Sequence, residues 1–366
     1  MNVIHVANIG SNRANGVNIV VPEHMKYQSK FSNIGFFNFS GISVPIDSNV
    51  KILSKNNNLD FDLREFPEPF NRPDLVIIHD VFSTLKFYKV AKILKKENIP
   101  YIIVPHGCFT YNALKRKKIK KLIAINTIFR TLIYKATAIQ YLTENERKNS
   151  FIQNNYIIIP NGITIPQNVD TRRNYDKVSF VYIGRKDIYH KGIDILLKAC
   201  KIAKDAMREK DATLTLYGPD RKGSFKKIDK MIQEYKIDDF VFNKEAIFDH
   251  EKERVLKSSS VFVLTSRSEG HPVALLEACA YGLPVLITPG TSVSDEVLKY
   301  NCGWVSEQTA ENIAEKLIYI VNKPEEIQKK SKNAYEYVSN LYSWERVAKL
   351  TIEKYKEVIN NYDSVH

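Results

Sequence analysis

Two glutamates, Glu269 and Glu277, stand eight residues apart in the stretch Ser266–Val285, and two cations, Arg185 and Lys191, share an earlier glycine-flanked loop. Carboxylates accept hydrogen bonds from a ligand's donors, whereas a forked guanidinium and a mobile ammonium grip phosphate oxygens. Each charge-assisted hydrogen bond contributes about 1.5–3 kcal/mol. The four side chains together suit a phosphate-bearing ligand, with one acid reaching each end of it. The cations would oppose the negative charge that grows on a departing diphosphate. Singly, such residues are mostly solvated surface groups. Their placement gives them meaning.

Val261–Leu264 reads as a buried strand. Pro272 suits the first position of a helix running to about Tyr281, with Gly282 as its left-handed cap and Val285–Thr288 as the next strand. Glu269 then lies in the loop before the helix, and Glu277 in its second turn leans back toward the same end. Unpaired N–H groups and the positive dipole end there make a seat for phosphate. Upstream, Gly184-Arg185 ends a strand at Val178–Ile183, and Lys191-Gly192 opens a helix at Ile193–Arg208.

The first half shows the same alternation. Strands are expected at Asn2–Asn8, Gly35–Phe39, Asp74–His79, Tyr101–Pro105, Ala138–Leu142 and Tyr156–Ile159, with helices at Val17–Gln28, Thr84–Glu97 and Lys117–Lys135. Later helices fit Ser224–Tyr235, His250–Lys257, Thr309–Asn322, Glu325–Leu341 and Trp344–Ile359, and strands Ala212–Tyr217 and Phe240–Phe242. Near-continuous apolar strands between helices indicate parallel sheets covered on both faces, an α/β fold. At 366 residues two domains are expected: 1–166 and 178–341, joined by a linker at 167–177 and followed by a terminal helix, 342–366.

Other chemistry-bearing features are weaker alone. His106 follows a strand, where α/β sheets bind ligands. The loop Gly10–Gly16 lies between strand and helix but is no GxGxxG. Lys115, Arg116, Lys117, Lys118, Lys120 and Lys121 form a dense basic run before an apolar stripe of Leu122, Ile125, Phe129 and Leu132. That run suits either an anionic lipid surface or a solvated helix start. Asp60-Phe-Asp62 reads as a chance DxD, so no metal site is expected. Cys108, Cys200, Cys279 and Cys302 form no CxxC, which argues against a zinc site or disulfide framework. A net charge of +13 fits an anionic partner without choosing one. No signal peptide or long apolar run is present, so a cytoplasmic protein is expected.

Arg185 and Lys191 followed by Glu269 and Glu277 resemble the donor site of retaining glycosyltransferases of the GT-B fold, family 4 (glycosyltransferase group 1), of the bacterial polysaccharide-biosynthesis type. The likeness extends through Pro105-His106-Gly107, Thr143–Glu146, Pro160-Asn161-Gly162, Tyr217-Gly218-Pro219 and the end helix at Trp344. It implies two doubly wound Rossmann-like domains facing each other across a cleft, with the last helix crossing back to the N-terminal domain. Arg185 and Lys191 would hold a nucleotide-sugar pyrophosphate, Glu277 the ribose and Glu269 the sugar. Gly270, His271, Pro272, Val273 and Ala274 would line phosphate and sugar. His106 would reach the sugar, and Gly16 would let the first loop approach. The family often carries Gly-Gly where Asn15-Gly16 stands, which leaves the path of that loop open.

The implied reaction moves a hexose from a nucleotide sugar, UDP preferred over GDP, to a hydroxyl of a glycan or lipid-linked acceptor, with retention and without cofactor or metal. Capsule, O-antigen or exopolysaccharide synthesis at the inner face of the membrane is the expected setting. A GT-B sugar-nucleotide epimerase would need the same phosphate grip but no acceptor. A nucleic-acid-binding protein would explain the charge, but the basic residues are scattered apart from 115–121 and no RNP or helix-turn-helix signature appears. A dinucleotide oxidoreductase lacks its fingerprint.

Overall fold

The computed structural model describes residues 1–12, 16–54, 59–111, 127, 129–152, 154–167, 169, 177–269 and 272–364. The chain divides into two units: Met1–Gly162 with Trp344–His366, and Ile163–Ser343. The divisions fall near, not at, the positions expected from sequence, 166 and 341. The reason is local. A Cβ on Gly162 would lie 2.3 Å from the Trp344 ring, so these residues pack together. Ile163 instead bridges Ser343, and its N–H donates to the Tyr342 carbonyl at 2.6 Å. Most of the expected linker lies outside the described residues.

Unit 1 contains β1 (Asn2–Ala7), α1 (Gly16–Gln28), β2 (Asn33–Asn38), β3 (Val50–Ile52), β4 (Leu75–His79), α2 (Phe87–Lys96), β5 (Tyr101–Val104), α3 (Arg130–Tyr134), β6 (Ala138–Tyr141), α4 (Glu144–Lys148) and β7 (Tyr156–Ile158). Its strands pair in the order β3-β2-β1-β4-β5-β6-β7, all parallel. One face buries Phe37, Phe87, Leu94 and Leu132. The other buries Val3, Ala7, Ile77 and Val104 beneath Val21 and Met25 of α1 and residues of the terminal helix. The expected helix Lys117–Lys135 is helical only over Arg130–Tyr134 among the described residues. Phe129 and Leu132 of its stripe are buried core.

Unit 2 contains β8 (Ser179–Ile183), α5 (Ile193–Ile202), α6 (Lys204–Glu209), β9 (Thr213–Tyr217), α7 (Ser224–Tyr235), β10 (Val241–Lys244), α8 (Asp249–Ser258), β11 (Val261–Leu264), α9 (Val273–Ala280), β12 (Val285–Ile287), α10 (Ser294–Lys299), β13 (Gly303–Val305), α11 (Ala310–Asn322) and α12 (Pro324–Tyr342). The chain then returns to unit 1 as α13 (Trp344–Asp363). The six strands are parallel in the order β10-β9-β8-β11-β12-β13. The expected helix Ile193–Arg208 is broken at Ala203, whose φ/ψ of −82°/3° leaves the helical region.

Gly192 shows why glycine flanks the cation loop. Its φ is +66°, and a Cβ there would lie 1.9 Å from the Thr265 carbonyl oxygen. The loop after β8 thus presses directly on the backbone after β11. Gly192→Ala combines left-handed strain with a backbone clash and should destabilise unit 2 by ~3 kcal/mol or more. Urea unfolding would show it as a lower midpoint.

Candidate active site

In unit 2 the strand order reverses between β8 and β11. At such a reversal point α/β sheets hold ligands beyond the carboxyl ends of the strands. Arg185 and Lys191 lie in the loop after β8, and Glu269 in the loop after β11. The Gly192–Thr265 approach closes the distance. Lys191 Nζ forms an ion pair with Glu269 Oε1, and each side chain is 13% exposed. Ser266 Oγ donates to the same oxygen at 2.6 Å. The Glu269 backbone is also held: its N–H donates to the Gly290 carbonyl at 2.7 Å, and its carbonyl accepts from the Ser292 hydroxyl.

The two loops are stitched elsewhere. Arg267 forks onto Asp194 with both bonds at 2.8 Å, and its guanidinium lies 4.1 Å from the Tyr189 ring centre. Its N–H donates to the His190 carbonyl at 2.9 Å. Bidentate pairs of this type fix geometry as well as adding energy. Burial lowers the His190 pKa, while Glu269, Lys191, Asp187 and Arg185 all lie near enough to move its titration. Burial pushes the Tyr182 phenol well up, with Glu269 adding to the rise; its hydroxyl donates to the Arg185 carbonyl at 2.9 Å. Arg185 itself is exposed, and no ion pair of its side chain is formed among the described residues. It remains available to an incoming anion. Next to it Lys186 is fully buried, donates to the Lys244 carbonyl at 2.5 Å and has its pKa lowered to about 8 by burial.

Glu277 sits in the second turn of α9. Its partner is Lys252 of α8, and the pair is about a quarter exposed. Arg185 and Lys191 are thus not its partners in this structure. Glu277→Ala would leave Lys252 without its carboxylate and remove an acceptor from the helix end. Affinity for the donor that the sequence resemblance implies should fall about ten-fold, the equivalent of one charge-assisted hydrogen bond, as titration calorimetry would read. Pro272 is the N-cap residue of α9 rather than its first helical residue, with φ/ψ of −78°/98°, since extended backbone is needed to enter the helix. Val273 and Ala274 form the helix start, where N–H groups lack intrahelical acceptors. Gly270 and His271 lie outside the described residues.

In unit 1, His106 stands just past β5 with a left-handed φ of 48°. The Gly107 N–H donates to Glu146 Oε1 and the Leu142 N–H to Glu146 Oε2, both at 2.7 Å. A buried carboxylate therefore fixes this strand end. Gly16 begins α1, and a Cβ there would meet nothing within 4 Å, so the described residues place no packing demand for glycine at this position. Lys115, Arg116, Lys117, Lys118, Lys120 and Lys121 lie outside the described residues. Asp62 of the DxD is engaged by Arg64 and caps a short 3-10 turn.

A cavity of 1240 Å³ opens elsewhere in unit 1, at the amino ends of β5, β6 and β7, lined by Tyr101, Tyr134, Tyr156 and Lys354 among others. It holds none of the candidate residues. We assign the site to the carboxyl ends of β8 and β11 because the charged side chains gather there.

Sequence reasoning missed Ser266, Ser292, Lys252 and the Arg267–Asp194 pair. Their only signal is proximity in the folded chain.

Residues 167–337 match the model of the family described as glycosyl transferases group 1. An uncharacterised glycosyltransferase of Methanocaldococcus jannaschii is 24% identical over 77% of this chain and 85% of its own. The protein is a glycosyltransferase. An uncharacterised glycosyltransferase of Haemophilus influenzae is 27% identical to it over 72% of this chain and 70% of its own. The fold of this glycosyltransferase is that of HepE from Anabaena, solved in complex with UDP, with a TM-score of 0.71 at 14% identity over 98% and 100% of the two chains. Sucrose-phosphate synthase from Thermosynechococcus elongatus is alike at 0.73, with 17% identity over 99% and 100%. These neighbours are GT-B enzymes, and the two parallel-sheet units of the glycosyltransferase are of the same Rossmann-like kind. Among its described residues, no helix is long and apolar enough to cross a membrane.

Proposed function

We propose that this glycosyltransferase moves a hexose from a UDP-sugar to a hydroxyl of a glycan acceptor, lipid-linked, in the synthesis of a bacterial surface polysaccharide, with retention at the anomeric carbon. The observation that carries the reading is the Lys191–Glu269 pair at the reversal point of the unit 2 sheet, beside an Arg185 guanidinium without an ion-pair partner among the described residues. An arriving diphosphate competes for Lys191. Taking it frees Glu269 to accept hydrogen bonds from sugar hydroxyls, so donor binding and sugar positioning become one exchange of partners. Arg185 and Lys191, rather than a divalent metal, then offset the charge that gathers on the leaving diphosphate. Glu277 takes the ribose hydroxyls, and the free N–H groups at the start of α9 receive phosphate or sugar oxygens.

Several structural neighbours support the finer parts. HepE has been solved with UDP, with UDP and glucose, and with UDP-glucose. A structural neighbour with a TM-score of 0.65, WaaG, is described as a glycosyltransferase involved in lipopolysaccharide biosynthesis. Contact of Lys115, Arg116, Lys117, Lys118, Lys120 and Lys121 with anionic lipid at the inner membrane face belongs to the same proposal. These relatives are named as transferases and synthases, and the epimerase reading is not favoured. A panel of UDP- and GDP-sugars, scored for saturable binding and slow hydrolysis without acceptor, tests the reading. UDP-sugars should bind and hydrolyse. Failure of every donor to bind would overturn it.

A further inference from the structure

The parallel register of unit 1 pairs His5 with Ile77, and His79 with Val104. Side chains alternate along a strand, so His79, two beyond Ile77, shares a face with His5. His106, two beyond Val104, continues the diagonal toward the carboxyl ends. The rings stack along it, with centroids 5.2 Å apart at 13° for His5–His79 and 5.4 Å at 26° for His79–His106. They are also bonded in series. His5 Nδ1 meets His79 Nε2 at 2.9 Å, and His79 Nδ1 meets His106 Nε2 at 3.1 Å. At the far end His5 Nε2 meets the Gln28 side-chain oxygen at 2.9 Å. Gln28 is 1% exposed, His5 0% and His79 3%.

We propose that Gln28 sets the tautomer of His106 through His5 and His79, so that His106 presents Nδ1 as a neutral hydrogen-bond acceptor to a sugar hydroxyl. The last clause rests on the function proposed above; the tautomer does not. An amide oxygen can only accept, so the proton of His5 sits on Nε2. A neutral ring then has a bare Nδ1, which requires His79 to donate from its own Nε2. The same step makes His106 donate from Nε2 and leaves its Nδ1 bare. That atom has no hydrogen-bond partner among the described residues. Burial favours the single-proton form throughout: it holds His5 and His106 at about 3 and His79 well below the usual range.

With one proton per ring, only two arrangements of the row are self-consistent, and the Gln28 oxygen selects one. The amide cannot take up a proton, so the row is not a proton wire. Gln28, His5 and His79 are positioning residues, acting through the orientation of a hydrogen bond. Neutrality also suits the reaction. An imidazolium would oppose positive charge developing on a sugar ring, whereas a bare nitrogen does not.

The test is nitrogen-15 NMR of the full chain labelled at histidine, which reads the tautomer and charge of each ring. His5, His79 and His106 should all be neutral with the proton on Nε2 between pH 6 and 8. A His106 protonated on Nδ1, or on both nitrogens, overturns the proposal. Gln28→Met removes the acceptor at similar volume, and His106 should then populate the Nδ1–H form. His79→Phe keeps the stacked ring but cuts the row, so it should free His106 even if the first variant does not fold. A single Nε2–H form of His106 persisting in either folded variant overturns the role of the row. In transfer assays Gln28→Met should lower kcat about ten-fold with donor KM unchanged, a loss the size of one hydrogen bond. The expected wild-type spectrum without transfer from any nucleotide sugar would sink the proposed function and leave the tautomer assignment standing. Transfer by a protein whose His106 carries its proton on Nδ1 would do the reverse.

Discussion

Lys191→Ala should lower kcat for sugar transfer by roughly 10²–10³-fold, the usual scale for one group that stabilises charge in a transition state. The effect should appear in kcat rather than in donor affinity alone, because charge on the diphosphate is greatest as the glycosidic bond breaks. Two consequences are expected together. The leaving group loses a cation, and Glu269 loses the ammonium that shares its oxygen with Ser266. Lys191→Arg keeps the charge but not the point geometry, and should recover part of the rate. Single-turnover kinetics with saturating donor separate these outcomes from weakened binding. An unchanged single-turnover rate in Lys191→Ala would remove this residue from the site, whatever the identity of the sugar.

The second large effect is on stability. His5, His24 and His79 are at most 4% exposed, and burial lowers the pKa of His5 to about 3 and of His24 to about 4, with His79 also well down. Below pH 6.5 the unfolded rings bind protons that the folded rings refuse. The unfolded chain is therefore favoured as the pH falls from 6.5 toward the folded values, and the stability these groups contribute is fully present only above 6.5. Each neutral buried ring costs about 1.4 kcal/mol per pH unit in that window, so three together cost ~4 kcal/mol per unit. By pH 5 the loss reaches at most ~6 kcal/mol, comparable with the lower end of an ordinary domain stability of ~5–15 kcal/mol. Urea midpoints of unit 1 should be level between pH 8 and 7 and drop steeply between 6.5 and 5. A flat profile across that range would mean that these rings accept protons while folded.

The sequence made the α/β character of both units plain, because long apolar strands such as Leu75–His79 and Val261–Leu264 stand between helical stretches. The edge strands were harder. Val50–Ile52 and Gly303–Val305 are three residues each and carry no period long enough to read. The break at Ala203 was invisible, since alanine is the best helix former. Arg185, Lys191, Glu269 and Glu277 stood out in the sequence by type and spacing. What each touches did not. Lys252 lies 25 residues before Glu277, and only the packing of one helix beside another pairs them. The histidine row left a faint trace: His5 and His79 each interrupt or end an apolar strand. A single polar residue in such a run reads as a tolerated core residue. Only the parallel register, with its two-residue step from strand to strand, turns separate residues into a row.

The return of α13 to unit 1 bears on the order in which the chain can mature. Val347, Tyr355 and Val358 of that helix complete one face of the unit 1 core, and the Tyr355 hydroxyl donates to Gln140 at 2.9 Å. During synthesis on the ribosome, residues 163–343 emerge as an uninterrupted segment before this helix exists. Unit 2 can therefore close while unit 1, although begun first, still exposes an apolar face. Completion of the earlier-made half thus waits on the later-made one.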